Sequence, residues 1–105
     1  MDEIEKVGFD LVAKAIVEWT GWGVTARPAR DGSRLTDRFG EALSTELVPI
    51  VQRLEEDFYS SNAYNTVADL DEMGEVAALE FRSRNPRLPE AAAIALAWCY
   101  KFDWK

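Results

Sequence analysis

The sequence predicts an all-α fold: four to five helices in a small bundle around a central, alanine-rich C-terminal helix, within one helical domain over residues 1–105. Three observations predict it. Apolar side chains recur at spacings of three and four in four separate stretches, which places them on one face of a helix. No stretch alternates apolar and polar residues over the length of a strand, and no internal repeat is present. The links are short and hold Gly, Pro, Asn and Ser, so consecutive helices should pack as neighbours. A length of 105 residues suits one domain, and 48% hydrophobic residues suffice for a core rather than a disordered tail.

The first helical segment covers residues 2–20. Ile4, Val7, Leu11, Val12, Ala15, Ile16 and Trp19 form its stripe. Glu3, Lys6, Asp10, Lys14 and Glu18 take the opposite face, with Asp2 and Glu3 in the first turn where the helix dipole favours acids. Gly21 stops the helix. Residues 20–33 read as a loop, with Gly21, Gly23, Pro28 and Gly32. Gly23-Val24-Thr25-Ala26 is the one place where a small strand would fit. Trp22, between two glycines, is either a packed lid or a side chain exposed for a partner.

The second segment covers residues 34–59, with Phe39, Leu43, Leu47, Ile50, Leu54 and Phe58 as its stripe. Pro49 removes a backbone donor and crowds the carbonyl of Thr45. Ser44 and Thr45 are good N-cap types, and Gly40 weakens the first half. Either a kink or two helices, near 35–44 and 46–60, follows. The stripe keeps phase across the proline, which favours a kinked or closely abutting pair. Residues 60–65 form a polar connection.

Thr66 with Asp69, or Asp69 with Glu72, supplies the cap of the third segment, which ends near Arg84 at Asn85-Pro86. Leu70, Met73, Val76, Ala77 and Phe81 form its stripe, and Arg82 and Arg84 suit its C-terminal dipole. Pro89 fits the start of the fourth segment, which reaches Phe102. Five alanines give it helix propensity, and Ile94, Leu96, Trp98, Cys99, Tyr100 and Phe102 surround it with apolar side chains. A helix apolar on most sides is expected at the centre, wrapped by the others.

Composition excludes much chemistry. With no His and one Cys, imidazole acid–base catalysis, a His-containing triad, a His-ligated metal and a disulfide framework lack their atoms. Twelve bases against 19 acids give a net charge of −7 and argue against a nucleic-acid-binding surface. The acidic start Met1-Asp2-Glu3 is unlike a secretory signal, and the longest apolar stretch, residues 91–100, is short of the ~20 residues of a membrane span. With a lone Cys99 that reads as a reduced core thiol, these features predict a cytoplasmic protein without membrane attachment.

The charge is uneven. Residues 41–80 hold ten acids and only Arg53 as a base, a net −9. The stretch from Arg82 onward is net +3, counting Lys101, Lys105 and Asp103. Residues 27–38 are net +2, with Arg27, Arg30, Arg34 and Arg38 against Asp31 and Asp37. A helix–loop–helix connection should bring Glu55, Glu56 and Asp57 to the same end of the domain as Asp69, Asp71 and Glu72, together with Phe58, Tyr59 and Tyr64. Such a surface is either a solvated face that keeps the protein soluble or a docking surface for a basic partner. Tyrosines add rigid contact area to the second.

Other chemistry is weaker. Asp69, Asp71, Gly74 and Glu80 match four positions of an EF-hand loop, but Met73 replaces an oxygen ligand and the same residues carry a helical stripe, so no metal is expected. Paired carboxylates suit glycoside chemistry, yet nothing singles out one acid. Cys99 sits late in the most apolar helix with no base to activate it. Trp19 and Trp98 lie on core stripes, whereas Trp22 and Trp104 are open to a ligand-stacking or a packing role, and Tyr100, Phe102 and Trp104, alternating with charged residues near the terminus, are placed to fold back on the bundle. No catalytic residue and no cofactor is expected.

The ending Ala95-Leu96-Ala97-Trp98-Cys99-Tyr100-Lys101-Phe102-Asp103 resembles the terminal helix of small bacterial proteins of the toxin-immunity kind. The resemblance, together with size and acidity, implies a single domain that binds and blocks a cognate toxin, often a nuclease. A nuclease cleft is basic, so an acidic aromatic surface complements it and imitates nucleic-acid phosphates. The expectation is a non-catalytic, protein-binding domain whose partner is a basic toxin domain, contacted through Glu55, Glu56, Asp57, Tyr59, Tyr64, Asp69, Asp71 and Glu72. The alternative is a small structural or regulatory interaction module, homodimeric or phage-encoded.

Overall fold

The computed structural model describes residues 2–28, 30 and 32–104. Met1, Asp31 and Lys105, and the side chains of Asp2 and Glu3, lie outside that description although the sequence reading uses them. The chain is all-helical. Its helices are α1 (Asp2–Val7), α2 (Phe9–Thr20), α3 (Gly32–Phe39), α4 (Glu41–Tyr59), the single turn α5 (Ala63–Thr66), α6 (Leu70–Arg84) and α7 (Glu90–Asp103). No strand occurs among the described residues, and residues 21–24 form a turn.

The bundle has more helical segments than the four to five expected, because two breaks fall at glycines. Gly8, at φ +110°, divides the first segment into α1 and α2. The second segment divides at Gly40, at φ +88° and ψ 159°, and not between residues 44 and 46. That backbone conformation is open almost only to glycine, so the chain turns there at little cost. Pro49 stays inside α4. It deprives the carbonyl of Thr45 of its donor, but both residues are exposed and water is at hand. Ser44 is accordingly not a cap: it is buried, and its hydroxyl meets that of Thr36 at 3.1 Å across the α3–α4 corner.

The connection after α4 is a turn of helix and not merely a polar loop. Thr66 closes α5, with Val67 N–H donating to Ala63 O at 2.9 Å. Asp69 is the cap of α6 and accepts from Glu72 N–H at 2.9 Å, which is the second capping pair read from the sequence.

α7 packs on α6 and α2, α3 packs on α4, and α2 joins both pairs. Ile16, Leu47, Leu54, Phe58, Phe81, Leu96 and Tyr100 are wholly buried between them. Helices pack at roughly 8–10 Å axis to axis, so a Cα envelope of 42 × 30 × 17 Å is a slab two helices deep. In such a slab every helix keeps a face to solvent. α7 is therefore not the wrapped centre that its composition predicts. It buries Ala92, Ala93, Ala95, Leu96, Cys99 and Tyr100, and leaves Ile94 and Phe102 exposed. No helix among the described residues is long and apolar enough to cross a membrane.

Candidate functional site

The eight residues expected to form one acidic surface are distributed over separate places. Glu55 and Tyr59, one turn apart on α4, meet Arg30 of the loop and Asp103 at the end of α7. Arg30 donates through Nε to Glu55 Oε2 at 2.8 Å and through Nη2 to Asp103 Oδ2 and Tyr59 Oη, both at 2.7 Å. Tyr59 Oη donates in turn to Asp103 Oδ2 at 2.5 Å. This clasp ties the Arg-rich loop to α4 and α7. Arg34 ties the next stretch, with Nε donating to Glu18 O at 2.8 Å.

The clasp suppresses reactivity. Burial raises the Tyr59 hydroxyl above the usual tyrosine range, and its bond to Asp103 adds to the effect. Burial alone would lower Arg30, but its bonds to Asp103 and Glu55 outweigh that and hold it above its usual value. Cys99 lies close enough to feel these charges, and burial pushes its thiol up to about 12. A nucleophile or general base needs a pKa near the working pH. Tyr59 and Cys99 are both shifted the other way.

Asp57 accepts from Arg84 Nε at 3.1 Å and from Asn85 Nδ2 at 3.0 Å, both at the C-terminal end of α6. Asp69 caps the opposite end of that same helix. At ~1.5 Å per residue the two ends of α6 lie roughly 22 Å apart. The two acidic clusters therefore do not share one end of the domain. The physical reason is the link 60–69: with its own turn of helix it carries the chain away before α6 runs back toward Asp57. The aromatic residues do gather, around Tyr100. Phe58 and Tyr59 contact its ring edge-on with centroids at 5.6 and 5.3 Å. Tyr64 stacks on Trp104 at 4.1 Å, so the end of the chain does fold back, while Phe102 stays exposed.

Glu56, Tyr64, Asp69, Asp71 and Glu72 remain exposed. Asp71 has Lys101 Nζ at 3.5 Å; Glu56, Glu72 and Glu75 have no ion partner among the described residues. The near-match to an EF-hand has no loop to bind with, since residues 70–80 are helical.

A feature absent from the sequence reading lies between α6 and α7. The helices run antiparallel, with the start of α6 against the end of α7. Gly74 allows the approach: a Cβ there would stand 2.7 Å from the Lys101 side chain, which lies across it. The outer side of this pair is a groove of about 620 Å³ with Ala78, Leu79, Ile94, Ala97 and Trp98 among its walls. Trp22 closes it edge-on to Trp98 with ring centroids at 5.3 Å. Trp98 is thus a groove residue and only partly buried, unlike the buried Trp19. Leu79 is 64% exposed and Ile94 42%, large values for such side chains. One signal for the groove was present: Ile94 and Trp98 are one turn apart and form a second apolar face on α7.

No protein-family model matches this chain, and comparison with curated proteins and with solved structures gives no significant match to either.

Proposed function

We propose that this chain is a non-catalytic protein-binding domain of the immunity kind, which neutralises a basic toxin domain by occupying its surface. The observation that carries the reading is the placement of exposed carboxylates beside exposed apolar surface: Asp71, Glu72 and Glu75 on the first turns of α6, next to the groove that holds Leu79 and Ile94. An apolar patch rimmed by charge has the anatomy of a protein interface. The acids supply steering toward a basic partner. Of the eight residues the sequence nominates, Glu56 and Glu72 are exposed without an ion partner among the described residues; Tyr64, Asp69 and Asp71 are exposed although they stack on Trp104, cap α6 and pair with Lys101; and Glu55, Asp57 and Tyr59 are engaged within the fold.

The test is capture of a partner from the native host, followed by charge reversal. A basic, growth-arresting partner whose association slows about tenfold with Asp71→Lys plus Glu72→Lys, and whose association with the unchanged chain slows with added salt, supports the reading. A partner whose association ignores both the reversal and the salt overturns it.

A further inference from the structure

We propose that the groove between α6 and α7 is the seat of a basic amphipathic helix presented by the partner. The inference rests on the protein-binding reading above and narrows it to one kind of ligand. The shape comes first. Glu90, Ile94 and Trp98 follow one another at intervals of four along α7, Asp71, Glu75, Leu79 and Arg82 do so at three or four along α6, and all of them line the groove. With a lining that runs from Glu90 to Lys101, these rows give an elongated trough along most of α7, ~17 Å at 1.5 Å per residue. Two antiparallel helices with an apolar seam between them offer a third helix its packing surface.

Charge selects the occupant. Glu75 and Glu90 line the trough with no ion partner among the described residues, Asp71 shares only Lys101, and Glu72 stands exposed beside them. Arg82 is the one cation in the lining without a partner among the described residues. Carboxylates therefore outnumber the free base, most clearly where α6 begins. A second copy of this chain would set one net charge of −7 against another. A helix with Lys or Arg flanking an apolar stripe meets no such repulsion: its apolar side chains fill the space beside Trp22, Leu79, Ile94 and Trp98, and its cations reach Glu75 and Glu72. Apolar anchors at i, i+4 and i+7 match the trough.

The experiment uses the full chain and an 18-residue peptide of Leu and Lys with the leucines on one helical face. The comparison peptides are the same composition scrambled, an equivalent Leu/Glu helix, and oligolysine of equal length. Calorimetry and tryptophan fluorescence read binding, since Trp22 and Trp98 line the site. The expected result is 1:1 binding of the Leu/Lys helix, at least tenfold tighter than the scrambled or Leu/Glu peptide. Leu79→Asp and Ile94→Asp, each checked for an unchanged melting temperature, should weaken it at least tenfold, and Asp37→Lys, at an exposed site on α3 outside the groove, by less than twofold. Equal binding of the scrambled peptide, or no effect of the two groove variants, overturns the proposal. So does sedimentation as a dimer that Leu79→Asp dissolves, because the occupant is then a second copy. Salt-sensitive oligolysine binding that survives Leu79→Asp, while the Leu/Lys helix is also unaffected, leaves the acidic-surface reading standing and removes the groove.

Discussion

The two faces of α7 are built on opposite principles. At its C-terminal end Arg30, Glu55, Tyr59 and Asp103 satisfy one another, and Tyr100 beneath them donates to Ser61 O and accepts from Tyr64 N–H. On its outer side Ile94 and Trp98 face a trough whose apolar wall is exposed and whose Glu75 and Glu90 have no ion partner among the described residues. The contrast separates surface that is committed from surface that is available. Polar groups that are fully engaged with each other are committed to the fold, and their loss registers as stability. Surface that the fold leaves unmatched is available to something else, and its loss registers as binding.

Substitutions test this division directly. The largest effect belongs to Phe58→Ala, beneath the clasp. Phe58 is wholly buried against Phe81 and Tyr100, and removing its ring should cost about 3–5 kcal/mol in urea denaturation. Tyr100→Phe keeps the ring but strands the Ser61 carbonyl and the Tyr64 N–H, for a loss of about 1–3 kcal/mol by the same measurement. Arg30→Ala should cost about 1 kcal/mol, since a third of that side chain is exposed and solvent screens the pairs.

The clasp also predicts a pH dependence. Tyr59 and Cys99 both keep their protons to higher pH in the folded chain than when unfolded, so above their unfolded values the unfolded state binds fewer protons. Stability should hold level with respect to these groups up to pH 9, the ordinary value of the thiol, and fall above it through the folded Cys99 value of about 12. Thermal melts from pH 8 to 11 check the sign, and Cys99→Ala should lessen the slope. The smallest effect on stability is expected on the groove side. Leu79→Asp and Ile94→Asp should move the folding free energy by no more than about 0.5 kcal/mol. A loss above 2 kcal/mol at either would mean that the groove belongs to the core after all.

The sequence foretells what is local and misses what depends on the return of the chain. Asp69 as a cap, the stripes of Leu47, Leu54 and Phe58 and of Met73, Ala77 and Phe81, and the stop at Asn85 are all written within a few residues. The choice between Gly40 and Pro49 as the breaking point is not, because it turns on which side faces water. The Arg30 clasp joins residues 25 and 73 positions apart, and nothing near Arg30 announces Glu55 or Asp103. The separation of the two acidic clusters escapes local reading for a similar reason: a ten-residue link can turn back at once or travel first. As for α7, a helix apolar all round is compatible with a central position or with a docking face, and only the thickness of the slab decides.

The packing of α2 on α7 carries a kinetic consequence. α3 with α4, and α6 with α7, are neighbours in sequence and close short loops, whereas Thr20 and Glu90 are separated by roughly 70 residues whose ordering must precede any reward. The two local hairpins therefore have the means to assemble first, and the α2–α7 seam joins them late. Shortening a buried side chain on the α2 side, as in Ile16→Val, should then leave refolding almost untouched and show itself as faster unfolding in stopped-flow traces. In that sense the seam governs how long the native state persists, and the hairpins govern how soon it is reached.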